Sequence, residues 1–144
     1  MLGYESERRL KNFLIAVGEG EIENERLRQR LCDIRDFAPS SAFQRIDRDA
    51  NNTISSHELI NYLRDNGVYS VSETEINKLV KFFDSDEDGR LSLQDFIQIV
   101  LPCEDNALRR VTQDRYAVRV GRYDNLPIDI ERGLADVIQQ ELSF

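Results

Sequence analysis

Oxygen-bearing side chains recur at one spacing in two twelve-residue segments of this sequence. The first, Asp47 to Glu58, places Asp47, Asp49, Asn51, Ser55 and Glu58 at segment positions 1, 3, 5, 9 and 12. The second, Asp84 to Asp95, places Asp84, Asp86, Asp88, Ser92 and Asp95 at the same positions. Carboxylate, amide and hydroxyl oxygens are hard ligands, and Ca2+ takes about six to eight of them in a shell flexible enough for a polypeptide to supply. At this spacing the chain winds once around an ion, and the position-12 carboxylate closes the shell from the start of the next helix. Position 7 offers its backbone carbonyl, from Thr53 in one segment and Arg90 in the other, while Ser55 is expected to bind directly or through a water. The expected chemistry is coordination of Ca2+ at two sites.

The two segments depart from an ideal loop in different places. Asn52 stands at position 6, where a left-handed backbone is needed and Gly is usual; Asn tolerates that conformation best after Gly, so a modest loss of affinity is expected. Gly89 meets the requirement in the second segment. There Asp95 stands at position 12 in place of Glu, and its shorter arm is expected to reach the ion through one oxygen. That weakens calcium selectivity and makes Mg2+ a competitor, because magnesium prefers a smaller octahedral shell. The bland alternative is a degenerate pair of loops that keeps its fold without metal, but clustered unpaired carboxylates repel one another and suit an empty loop poorly.

Other reactive side chains do not assemble into a second chemistry. His57, the one histidine, sits at a non-ligating position and is expected to be solvated. Cys32 and Cys103 form no Cys-x-x-Cys pattern and are expected to be two reduced, buried or half-buried thiols. There is no Gly-rich phosphate loop and no Cys near a His, so no enzyme is expected.

The elements that must position the loops are helical by pattern, which makes the expected fold class all-α. Leu10, Phe13, Leu14 and Val17 share one face of a first helix that Gly18-Glu19-Gly20 breaks. A charged helix is expected from about Glu21 to Phe37, with Leu27, Leu31 and Ile34 as a narrow stripe ringed by Glu23, Glu25, Arg26, Arg28 and Arg30. After Pro39, Ser40 or Ser41 is expected to cap a short helix carrying Phe43 and Ile46 into the first loop. An exit helix with Leu59, Ile60, Tyr62 and Leu63 stops near Asn66-Gly67. Ser72 to Glu75 is a capping box that opens a helix presenting Ile76, Leu79, Val80 and Phe83 to the second loop. The exit helix from Phe96 to Leu101 ends at Pro102. Residues from Cys103 to Asn125 are expected to hold at most a short helical turn around Ala107 to Thr112, and they mix Arg109, Arg110, Arg115, Arg119 and Arg122 with acids, as a solvated segment does. Pro127 introduces a last amphipathic helix with Ile130, Leu134, Val137 and Ile138 on one side. The expected organisation is an N-terminal helical arm at 1–37, a central pair at 38–102 and a C-terminal extension with its terminal helix at 103–144.

From about Pro39 to Leu101 the chain resembles one lobe of the calmodulin and troponin C family of EF-hand proteins, on the strength of two loops that begin 37 residues apart, at Asp47 and Asp84. The resemblance implies that Ile54 and Leu91, both at loop position 8, join the loops through a short two-stranded bridge, so that the sites are coupled. It also implies a groove lined by Phe43, Ile46, Leu59, Leu63, Leu79, Val80, Phe83, Phe96, Ile97 and Val100. Sensors of this kind open that groove on binding calcium, whereas buffers and structural members barely open. Met1 is the only methionine, so the adaptable Met-rich surface of a promiscuous binder is missing and one dedicated or intramolecular partner is expected. The terminal helices are candidates for that intramolecular role.

With 27 acidic against 19 basic residues the formal charge is -8. Nucleic acid and anionic membrane are thereby disfavoured as partners, and a helical or basic protein segment is favoured. No stretch has the apolar length of a signal peptide or membrane span, so a cytoplasmic protein is expected. Leu101-Pro102-Cys103 followed by Tyr123 and Leu126-Pro127 is also similar to a group of EF-hand proteins of ciliated cells, which implies a cytoskeletal or ciliary setting. A calcium-stabilised structural subunit, clamped on a longer helix as a light chain is, stands as the alternative to a sensor.

Overall fold

The computed structural model describes residues 22–142. The helix expected from Leu10 to Val17 lies outside the described residues. Seven helices are described: α1 (residues 22–33), α2 (Pro39–Ile46), α3 (Ser56–Asp65), α4 (Glu73–Phe83), α5 (Leu93–Val100), α6 (Asn106–Gln113) and α7 (Ile128–Glu141). The fold is all-α.

Local chemistry explains most boundaries. Ser55, Ser72 and Ser92 each begin a helix, accepting from the backbone N–H three residues on, while Glu58, Glu75 and Asp95 reach back to complete the box. Each box satisfies two of the donors that a helix start leaves open. Three boundaries differ from expectation, α5 opening at Leu93 rather than Phe96 among them. α1 stops at residue 33 because Phe37 turns inward to 1% exposure and Pro39 disfavours helical geometry in the residue before it. α2 is not capped by Ser40 or Ser41: Ala38 precedes it, Pro39 occupies its first turn and no side chain caps it. Pro needs no partner there, since it has no N–H to satisfy.

The helices pair as α3 with α4 and α2 with α5, and between them Ile54 and Leu91 form an isolated antiparallel bridge, each N–H donating to the other's carbonyl at 2.8 Å. Phe43 and Phe96 meet edge to face at 5.8 Å between ring centres. Around them Ile46, Leu59, Leu63, Ile76, Val80 and Val100 are buried in one cluster with Ile130, Leu134, Val137 and Ile138 of α7, which packs on α5 and α3. Each such side chain contributes about 1.5–3 kcal/mol when fully withdrawn from water.

α1 docks through the charged residues beside its stripe as well as through the stripe itself. Glu25 is buried and accepts from the Cys103 and Glu104 N–H groups at 2.9 and 3.0 Å. Arg28, also buried, donates to the Ile99 carbonyl at 3.0 Å and pairs with Glu141 at 3.1 Å. Burial alone would raise the Glu25 carboxyl, but its hydrogen bonds from Cys103, Gln29 and Glu104 and the Arg28 charge outweigh that and hold it below its usual value. Of the two thiols, Cys32 is buried and pushed up to about 11 by that burial, whereas Cys103 is exposed rather than half-buried.

Candidate metal centre

The first loop is suspended between two helices that fix its ends. Asp47 is the residue at the C-terminal end of α2, and Glu58 lies in the first turn of α3, locked by its exchange with Ser55. Between them the backbone folds onto its own carboxylates. Asn52 N–H donates to Asp47 Oδ2 at 2.8 Å, Asn51 N–H to Asp49 Oδ1 at 3.2 Å, and Asp49 N–H to Glu58 Oε2 at 3.2 Å. The outcome is that one oxygen each from Asp47, Asp49 and Glu58 fall within 4.8 Å of one another.

Three carboxylates at that range repel one another. Burial, a shared proton with Asp49 and the Glu58 charge push Asp47 up to about 6, while Asp49, on the other side of that hydrogen bond, is held below its usual value. A divalent cation removes this repulsion without a proton, so the donor set is chemically suited to a hard cation. Asn51 Oδ1 accepts from Thr53 N–H and Oγ, both at 3.1 Å. Ser55 is engaged as a helix cap, its hydroxyl accepting from Glu58 N–H at 3.2 Å.

The second loop is built alike but closes differently. Asp84 Oδ2 accepts from Gly89 N–H at 2.7 Å, and Arg90 N–H donates to Asp88 Oδ1 at 3.0 Å. Asp84 Oδ1 is buried with no hydrogen-bond partner, an arrangement that costs free energy unless a cation takes the lone pairs. Asp86 is exposed. Asp95 is buried, but its Oδ1 accepts from Ser85 Oγ at 2.6 Å and its Oδ2 from Ser92 N–H at 3.1 Å. With one methylene fewer than Glu58, it does not join the other acids: among the described residues the only three-acid group of ligand geometry is Asp47, Asp49 and Glu58. Asp47, Asp49, Asn51, Thr53, Ser55 and Glu58 would hold one ion and Asp84, Asp86, Asp88, Arg90, Ser92 and Asp95 a second. When bound, such an ion supplies charge neutralisation and ties the helix before each loop to the helix after it.

Both loops need left-handed backbone at two places. Asn52 and Gly89 at position 6 have φ 66 and 79, matching the requirement read from their residue types. Ala50 and Glu87 at position 4 also have positive φ, 56 and 57. Nothing in those residue types signals it, since closure of the loop imposes it.

The fold and the loops define a helix-loop-helix pair of the calcium-binding kind. The family model described as an EF-hand domain pair matches residues 40–101, which supports the EF-hand calcium-binding superfamily for that segment. No curated protein and no solved structure matches the chain.

Pattern reading passed over residues beside the first loop. Arg45, 2% exposed, pairs with Glu131 of α7 at 2.6 Å and with Asp65 at 3.2 Å, and lies 4.9 Å over the Tyr62 ring. Glu131 further accepts from Asn66 Nδ2 and Leu126 N–H, both at 2.9 Å, and its carbonyl accepts from the Tyr62 hydroxyl at 2.7 Å. Arg48, at loop position 2, donates to the Arg122 and Asp124 carbonyls at 2.6 and 2.8 Å. Glu131, Arg122 and Asp124 lie 74 to 86 residues from the arginines that hold them, beyond the reach of any local pattern.

Proposed function

We propose that this protein is a calcium-binding module in which the cation consolidates a lobe already filled by its own C-terminal helix, with the first loop as the stronger site. One observation carries the reading. The carboxylates of Asp47, Asp49 and Glu58 converge within 4.8 Å in the same structure in which Leu134, Val137 and Ile138 of α7 are buried to 0% exposure against the lobe. A site competent for a cation therefore coexists with a covered apolar core. In this reading Ca2+ binds with little opening, as in structural and buffering EF-hand proteins, and Mg2+ competes at the second loop, where Asp95 is held by Ser85 and Ser92. The acidic charge favours a basic or helical protein as the subunit it serves, in a cytoplasmic or cytoskeletal setting; no helix among the described residues is long and apolar enough to cross a membrane.

A second reading, a sensor that releases α7 to take a dedicated partner, is favoured by the segment before α7. Residues 115–127 form no helix or strand and expose Tyr116, Val118 and Tyr123, a tether long enough to let a helix leave. Titration with calcium in the presence of a hydrophobic dye separates the two. The first reading expects higher thermal stability with little gain in dye emission; a strong calcium-dependent gain establishes the sensor instead.

A further inference from the structure

The first metal loop is tied to the C-terminal extension by one side of α2. Its apolar side, with Ala42, Phe43 and Ile46, enters the core. Its polar side presents Ser41, Gln44, Arg45 and, just past its end, Arg48, spaced i, i+3, i+4, i+7 and so stacked along one face. All four grip the extension. Ser41 Oγ donates to the Val118 carbonyl at 2.7 Å, and Gln44 Oε1 accepts from Val120 N–H at 2.9 Å. Arg45 holds Glu131, and Arg48 holds the Arg122 and Asp124 carbonyls and, at 3.2 Å, Asn125 Oδ1. Such a stripe has no counterpart on α4, which leads into the second loop. Its polar residues Asn77, Lys78 and Lys81 are exposed.

We propose that this stripe, through Arg48, couples cation uptake at the first loop to seating of residues 118–131, so that each promotes the other. The proposal rests on the calcium-binding reading above. Arg48 is the second residue of the loop, next to Asp47 and Asp49, so fixing its guanidinium on the extension restrains the backbone that brings those carboxylates together. Linkage then makes the effect reciprocal: an extension that favours the cation-competent loop must itself be held more firmly once the cation is bound.

The direction of one substitution decides between this and a purely electrostatic role. Arg48 places a positive charge in a cation-binding loop, and if charge were its only contribution, Arg48→Ala would tighten calcium binding. If it acts as a clamp, the same change weakens binding, by roughly fivefold at the lower end of usual coupling strengths. The experiment combines calorimetric calcium titration of the full chain with amide hydrogen exchange over residues 118–131, with and without calcium. The parent is expected to bind calcium and to slow exchange in that segment. Arg48→Ala is expected to bind more weakly and to lose the calcium-dependent slowing, while circular dichroism shows the helices retained. Unchanged or tighter binding by Arg48→Ala, or exchange in the parent that calcium leaves unaltered, overturns the coupling but leaves calcium binding standing. No calcium uptake by the parent overturns the functional reading and the coupling together.

Discussion

Asp47 holds its proton up to about 6, against a reference of 3.8, because burial and the acids beside it penalise its charge. A folded-state value above the unfolded one means that Asp47 supports the metal-free fold fully below about pH 4 and ceases to do so as pH rises through 6. Calcium needs the ionised form, so its apparent affinity at the first loop should be about tenfold weaker at pH 5 than at pH 7, with a proton released on binding at the lower pH. Calorimetry in two buffers of different ionisation enthalpy measures that proton; affinity constant over the range would show that Asp47 is already ionised at pH 5. Glu25 runs the other way. Its value is lowered, so its contribution is present above its unfolded value of 4.5 and is lost as pH falls. Glu25→Gln should therefore lower thermal stability at pH 7, by about 1–3 kcal/mol for weakened charged hydrogen bonds to backbone donors, and matter progressively less in acid. An equal loss at pH 7 and pH 3 would show that charge plays no part. The convergence of Asp47, Asp49 and Glu58 was legible in the sequence because residue type and spacing carry it, and so was the left-handed turn at Asn52. Ala50 and Glu87 were not, since their backbone conformation comes from closing the loop.

Helices were legible where side chains write their ends. The box at Ser72 is local, and so is the stop before Pro102, while the boxes at Ser55 and Ser92 lie hidden behind the reading of those serines as loop ligands. The end of α1 and the docking of Glu25 and Arg28 were not legible, because burial of a charged residue depends on a partner far away in sequence. The same holds for Arg45 and Glu131, whose side chains are 2% and 6% exposed. Removing one member of such a pair strands the other charge, which typically costs about 3–5 kcal/mol. Glu131→Ala should thus sharply lower the thermal midpoint, while Arg45→Met combined with Glu131→Leu should recover much of the loss, because two charges no longer need to be buried. A single substitution that leaves the midpoint within a degree of the parent would show that the pair does not hold α7 in place.

Across the described residues, periodicity was enough to foresee an all-α chain and a closing amphipathic helix, and the two loops, through their resemblance to a known family, a paired central lobe. It could not show that α2 has two occupied faces, one in the core and one on the extension, because the residue types of Ser41, Gln44, Arg45 and Arg48 name no distant partner. The lobe, α1 and α7 share buried contacts, and the first loop lies where the lobe meets the extension. The account as a whole depends on that loop holding a divalent cation. Its most direct test is calorimetric titration of calcium into the demetallated full chain and into Glu58→Gln, which removes one charged oxygen from the ring and leaves its shape. The parent should take up calcium, and the variant should lose the tighter of its binding components. A parent that takes up none at millimolar calcium, or a variant whose titration matches the parent's, would contradict it.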